Sequence, residues 1–156
     1  MPPRPGQNHR ASYMLTALAE AEAAATRGEV PVGAVIVAAD GTVLAKAGNR
    51  TRELADPTAH AEMLAIREAC RLLGSERLGD ADIYVTLEPC PMCAAAISFA
   101  RLRRLYFGAG DPKGGGVEHG PRIFSQPTCH HAPEVYGGIE EVRAGALLRG
   151  FFESRR

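Results

Sequence analysis

Residues 82–107 constrain the fold more than any other part of the chain. Asp82-Ile83-Tyr84-Val85-Thr86-Leu87 is dominated by β-branched, aromatic and aliphatic residues and reads as a strand. Glu88-Pro89-Cys90 interrupts it, a short alanine-rich helix is expected over residues 92–100, and Leu105-Tyr106-Phe107 begins another strand. A helix carrying one strand into the next is the standard connection of a parallel pair, because two parallel strands need a long crossover. The unit therefore predicts an α/β fold with a parallel pair inside a mixed sheet.

The flanking segments supply the remaining elements. Residues 8–27 place Met14, Leu15, Leu18, Ala21 and Ala25 on roughly one helical face, with Gly28 as the stop. Val32-Gly33-Ala34-Val35-Ile36-Val37 is nearly continuous and apolar, as a buried strand is. Asp40-Gly41 turns it into Thr42-Val43-Leu44-Ala45-Lys46, and residues 49–55 read as a loop. Asp56 is placed to cap the next helix, with Pro57 at its first position, Leu73 at its end and Gly74 as its stop.

Residues 108–138 are rich in Gly, Pro and His and carry little periodic signal; a loop that long is usually functional or holds unrecognised structure. Residues 144–156 read as an amphipathic helix bearing Leu147, Leu148, Phe151 and Phe152. With no internal repeat or boundary, residues 1–156 are expected to be a single domain, long enough to bury an adequate core.

Composition sets the compartment and excludes some classes. No apolar run approaches bilayer length, and Met1-Pro2-Pro3-Arg4-Pro5-Gly6 lacks the apolar core of a secretory signal, so a cytoplasmic protein without membrane contact is expected. Formal net charge is zero, so global charge does not argue for nucleic acid. Arg101, Arg103 and Arg104 nevertheless cluster, as do Arg149, Arg155 and Arg156, and local basic patches can hold phosphates. Four cysteines, Cys70, Cys90, Cys93 and Cys129, read in such a protein as metal binding or catalysis rather than disulfides.

The chemistry concentrates in two motifs. Cys90 and Cys93 stand two residues apart at the start of a predicted helix, whose dipole favours thiolate, and His60 lies about thirty positions earlier. Zinc prefers such ligands, and three of them leave one position open for a zinc-activated water. Glu62, two residues after His60, is the candidate proton shuttle. On a continuous helix those two side chains diverge, so the pair works only if both lie in the first turn. His60-Ala61-Glu62 with Pro89-Cys90-Pro91-Met92-Cys93 matches the known zinc-deaminase signature.

Other readings fit the same residues. A four-ligand structural zinc module would recruit Cys70 or Cys129, although Cys70 sits among apolar neighbours and reads as core. Cys129-His130-His131 could hold a metal itself, but its place in the loop favours a structural or substrate-contact role. His9 and His119 carry no readable signal.

The chain resembles the cytidine-deaminase-like superfamily and, within it, the bacterial tRNA-specific adenosine deaminases. The likeness runs through Glu29-Val30-Pro31-Val32-Gly33-Ala34-Val35, Gly48-Asn49-Arg50, Asp56-Pro57-Thr58-Ala59-His60-Ala61-Glu62, Val85-Thr86-Leu87-Glu88-Pro89-Cys90-Pro91-Met92-Cys93, Phe107-Gly108-Ala109 with Asp111, and Phe151-Phe152. It implies a three-layer α/β/α fold, a homodimer, one zinc ion per subunit and hydrolytic conversion of adenosine to inosine at the wobble position in the tRNA anticodon loop. His60, Cys90 and Cys93 would be the metal ligands and Glu62 the catalytic acid/base. Asn49 would contact the target base and Asp111 the neighbouring nucleotide, and the terminal helix with Phe151 and Arg155 would line the RNA groove.

Two features depart from the family pattern: Gly110 stands where a basic residue is usual, and residues 112–120 are unusually Gly-rich. A deaminase of free guanine, cytosine or cytidine would use the same zinc chemistry and is the rival enzyme.

Overall fold

The computed structural model describes residues 7–155, with side chains from Arg10 onward; residues 1–6, the His9 side chain and Arg156 lie outside the described residues. Helix α1 (Gln7–Thr26) leads into the antiparallel hairpin β1 (Gly33–Val37) and β2 (Val43–Gly48), followed by α2 (Ala61–Leu73) and β3 (Asp82–Leu87). Then come α3 (Pro91–Phe99), β4 (Arg104–Ala109), β5 (Glu134–Tyr136) and α4 (Glu141–Glu153). The sheet order is β2-β1-β3-β4-β5. Strand β1 pairs antiparallel with both β2 and β3, whereas β3, β4 and β5 run parallel, giving a mixed sheet.

Alternation along the strands sorts their side chains into two cores. Ala34, Ile36, Ile83, Val85, Leu105 and Phe107 pack with Ala61, Ala65 and Ile66 of α2 and with Ala94 and Ile97 of α3. Val35, Val37, Tyr84 and Tyr106 pack with Met14, Ala17 and Leu18 of α1 and with Ala144 of α4. The architecture is thus the expected three layers, and the strands are apolar on both faces because both are covered.

Helix α1 buries a face rotated slightly from the expected one. Met14, Ala17, Leu18, Ala21 and Ala24 are buried, while Leu15 is 41% exposed and Ala25 only half-buried. Close approach explains the shift. A Cβ on Gly33 would lie 1.9 Å from the Ala17 carbonyl oxygen, so the helix rests directly on the β1 backbone through its small residues.

On the same face Tyr84, Tyr106 and Tyr136 occupy matching register positions on β3, β4 and β5. Their rings stack at 4.4 Å and 5.1 Å between centroids, and Tyr13 of α1 lies 5.3 Å from Tyr84. The Arg10 guanidinium covers Tyr106 and Tyr136 at 5.0 Å and 4.7 Å, a cation–π clamp from the first turns of α1 onto the β5 edge.

Three boundaries differ from expectation. Helix α2 begins at Ala61 rather than Pro57, because Asp56 caps a tight turn instead: its Oδ1 accepts from Thr58 N at 2.8 Å and Thr58 Oγ1 at 2.7 Å. Strand β5 and a 3-10 turn, Ile123–Ser125, lie inside the segment that carried no periodic signal. Helix α4 spans Glu141–Glu153 rather than residues 144–156. Among the described residues no helix is long and apolar enough to cross a membrane.

Candidate functional site

The turn at residues 56–60 decides the geometry of the site. His60 N donates to Thr58 O at 2.8 Å, and His60 itself is extended (φ −71°, ψ 153°), so it precedes α2 as the N-cap. Glu62 is the second helical residue. The angular divergence of two positions on one helix therefore does not arise, and both side chains approach the same place from a helix start.

Across the sheet the parallel unit delivers the cysteines. Strand β3 ends at Leu87, Cys90 is the extended N-cap of α3, Pro91 takes the first helical position and Cys93 sits one turn in, fully buried. His60 Nδ1 lies 3.6 Å from Cys90 Sγ and 3.4 Å from Cys93 Sγ. The donor atoms of His60, Cys90 and Cys93 all fall within 4.8 Å of one another, a set that could hold a metal ion. Neither Cys70 nor Cys129 belongs to that group. Three soft and borderline donors converging on a point, with a thiolate at a helix start, fit zinc with an open coordination position.

The protonation states agree with a ligand role. A hydrogen bond from the Cys93 thiol, the largest influence, holds Cys90 far below an ordinary thiol, and the same contact pushes Cys93 up. Glu62 is 4% exposed. Burial raises its pKa above the ordinary carboxylate range, the charge of Cys90 adds to the rise, and its own backbone amide, His60 and the Cys93 thiol oppose it. A buried carboxyl with a raised pKa thus lies in contact with the candidate ligand set.

Residues 7–109 match the family model described as the cytidine and deoxycytidylate deaminase zinc-binding region. A tRNA-specific adenosine deaminase of Agrobacterium fabrum is 64% identical over 147 residues, spanning 94% of this chain and 96% of that protein. The chain belongs to the tRNA-specific adenosine deaminase family. A solved structure from work on A-to-I editing by tRNA:A34 deaminases superposes with a TM-score of 0.86 at 65% identity, covering 88% of this chain and 99% of that one. A guanine deaminase from Nitrosomonas europaea shares the fold, with a TM-score of 0.79 at 22% identity over 90% and 83% of the two chains.

The other residues singled out in the sequence occupy three places. Asn49, 8% exposed, accepts a hydrogen bond from Ala61 N through Oδ1 at 2.8 Å, so it ties the β2 end to the residue between His60 and Glu62. Asp111 lies half-buried just beyond β4, its Oδ1 accepting from Lys113 N and Gly114 N at 3.2 Å and 3.0 Å. Phe151 is half-buried near the end of α4, with the Arg155 guanidinium 4.0 Å above its ring.

Cys129-His130-His131 forms no metal group among the described residues. It buttresses the end of α3: Ser98 Oγ donates to His131 O at 2.6 Å, Arg101 Nη1 donates to His130 O at 3.1 Å, and His131 Nε2 meets Leu102 O at 2.7 Å.

Two buried carboxylates escaped the sequence reading. Glu29, 1% exposed, accepts from Arg52 N and Glu53 N at 3.0 Å and 2.9 Å and so pins the loop after Asn49. The Glu88 side chain is wholly buried beside the cysteine turn. Burial opposes its ionisation, but bonds from Asp111 N, the His119 ring, Val117 N and His119 N outweigh that and hold it below the ordinary range. The one signal for it in the chain is an acidic residue closing an otherwise apolar strand, directly before Pro89-Cys90.

Proposed function

We propose that the chain hydrolyses adenosine to inosine at the wobble position of tRNA, acting as a single deaminase domain over residues 1–156. The observation that carries this reading is the buried Glu62 carboxyl beside the converging donors of His60, Cys90 and Cys93. The family to which the chain belongs supplies the substrate.

His60 Nδ1 and the two sulfurs would hold one zinc ion per subunit. When bound, that ion acidifies a water molecule, the nucleophile for the amino-bearing carbon of the base. Glu62 takes the proton from that water and gives it to a ring nitrogen. It then takes the remaining proton of the hydroxyl added to that carbon and delivers it to the departing amino group, so the carbonyl forms as ammonia leaves, and water and adenosine become inosine and ammonia. Its burial suits it to hold a proton between those steps.

Asn49 would orient the base: with Oδ1 fixed by Ala61 N, its Nδ2 donor end is the part offered to a base acceptor. Asp111 would contact the neighbouring nucleotide, and the Phe151–Arg155 stack offers a flat, cationic surface to the RNA. An anticodon loop suits such a site, because its bases are already unpaired and cheap to splay outward. Family likeness supports a cytoplasmic homodimer as the working unit.

The deciding experiment incubates zinc-loaded protein with an anticodon stem-loop carrying a wobble adenosine and, separately, with guanine, cytosine and cytidine. Inosine in the RNA is expected. Ammonia from a free base with no inosine in the RNA overturns the proposal.

A further inference from the structure

The loop after β4 is held by a single carboxylate. Glu88 Oε2 accepts from Val117 N, Glu118 N and His119 N at 3.1, 3.0 and 3.1 Å, and Oε1 accepts from Asp111 N at 3.0 Å. His119 Nδ1 lies 2.6 Å from Oε1 and, facing an acceptor-only carboxylate, is the donor. Four backbone N–H groups and one ring N–H from a nine-residue span thus converge on one side chain with no exposed surface. Successive backbone amides turned inward form a concave anion nest. Here the anion is the protein's own.

Gly115 and Gly116 are glycines that this packing demands. A Cβ on Gly115 would lie 2.3 Å from Glu88 Oε2. One on Gly116 would lie 2.6 Å from Pro91 N and 2.9 Å from the Cys90 carbonyl carbon. Gly116 N also donates to Pro89 O at 2.8 Å. The loop therefore lies directly against the Cys90–Pro91 peptide, with Asp111 at one end of the nest and His119 at the other.

We propose that Glu88 is a positioning residue for substrate: its carboxylate gathers the 111–119 loop onto the cysteine turn and thereby fixes where Asp111 stands beside the site. The inference rests on the reading of Asp111 as an RNA contact. Glu88 touches no reacting atom. Its effect reaches the reaction through the loop, so it is felt in substrate binding more than in the chemical step.

Glu88→Gln tests this. The neutral amide preserves size, but its NH2 end must face donors wherever it points, against either the Asp111 N–H or the three amides of residues 117–119. On the anticodon stem-loop, KM should rise at least tenfold (about 1.4 kcal/mol), and kcat should fall by less than KM rises. Zinc content should stay at the wild-type value, and amide hydrogen exchange at residues 117–119 should speed up while β3 and β4 stay protected.

Unchanged KM overturns the proposal. So does loss of kcat and zinc together without a KM change, or unchanged exchange at 117–119. If Glu88→Gln does not fold, Gly115→Ala carries the test, since Gly115 lies outside the left-handed region and its Cβ would press on the Glu88 carboxylate (2.3 Å from Oε2, 2.5 Å from Cδ) and on Asp111 O at 2.6 Å, the two partners the nest holds together. The same KM rise is expected, and its absence refutes the inference. Wild-type protein that leaves the RNA untouched would instead refute the proposed substrate, and the exchange measurement would still judge the role of Glu88 in the loop.

Discussion

Replacing Asn49 by alanine removes one buried hydrogen bond at the start of α2, and the cost follows from its surroundings. Oδ1 sits 2.8 Å from Ala61 N, and the side chain is almost wholly enclosed. His60, the formal N-cap, makes no side-chain cap bond, so Asn49 does from a distance what a local cap normally does. Losing a cap costs about 1 kcal/mol, and leaving a buried donor unsatisfied costs about 1–3 kcal/mol. These describe the same lost bond, so we take roughly 2 kcal/mol rather than their sum. For a domain of this length each kcal/mol moves Tm by about 2–4 °C. Asn49→Ala should therefore melt roughly 4–8 °C below wild type. Calorimetry at fixed free zinc is the assay, because a bound ligand shifts Tm by mass action. A shift under about 1 °C would show that water or a relaxed loop satisfies Ala61 N, and the reasoning would fail.

Glu62→Ala should retain zinc, measured by plasma mass spectrometry, and lose about 10²- to 10⁴-fold in kcat. Loss of zinc with the activity would make Glu62 a structural group. Gly33→Ala drives a methyl group into the Ala17 carbonyl, so it should cost about 3 kcal/mol or more in urea midpoint analysis, at or beyond the usual range for overpacking. An unchanged midpoint would mean that α1 can lift off β1 cheaply. Glu29 answers to pH. Burial opposes its ionisation, yet the amides of Glu53 and Arg52 and the charges of Arg27 and Arg52 win and depress its folded pKa. A depressed carboxylate contributes stability above its unfolded pKa, about 4.3, and loses it as pH falls through the lower folded value. Glu29→Gln should then be less stable than wild type at neutral pH, with the gap closing as pH falls below the ordinary carboxylate range. A gap that persists in acid would assign its effect to packing.

The elements with strong patterns are legible in the residues alone: the continuous apolar run of β1, the β3–α3–β4 crossover, and Cys90 and Cys93 at its helix start. Their physics is local. What the residues hide is what depends on distant partners. Asp56 has the chemistry of a helix cap and the neighbour Pro57 to match, but Thr58 claims its carboxylate first. Strand β5 is three residues long and half-exposed, too short for a period to show. Glu88 and Glu29 are given no role by the residue pattern because their main partners are backbone amides 23 or more positions away, and backbone amides leave no trace in sequence.

The tyrosine column has a use at the bench. The chain has four tyrosines and no tryptophan, and all four rings stand in that one stack beneath α1. Its tyrosine dichroism and tyrosine emission therefore come from a single place, the layer turned away from the cysteines. Optical titrations will report whether α1 stays seated on the sheet, and an event confined to the catalytic side will pass through them in silence.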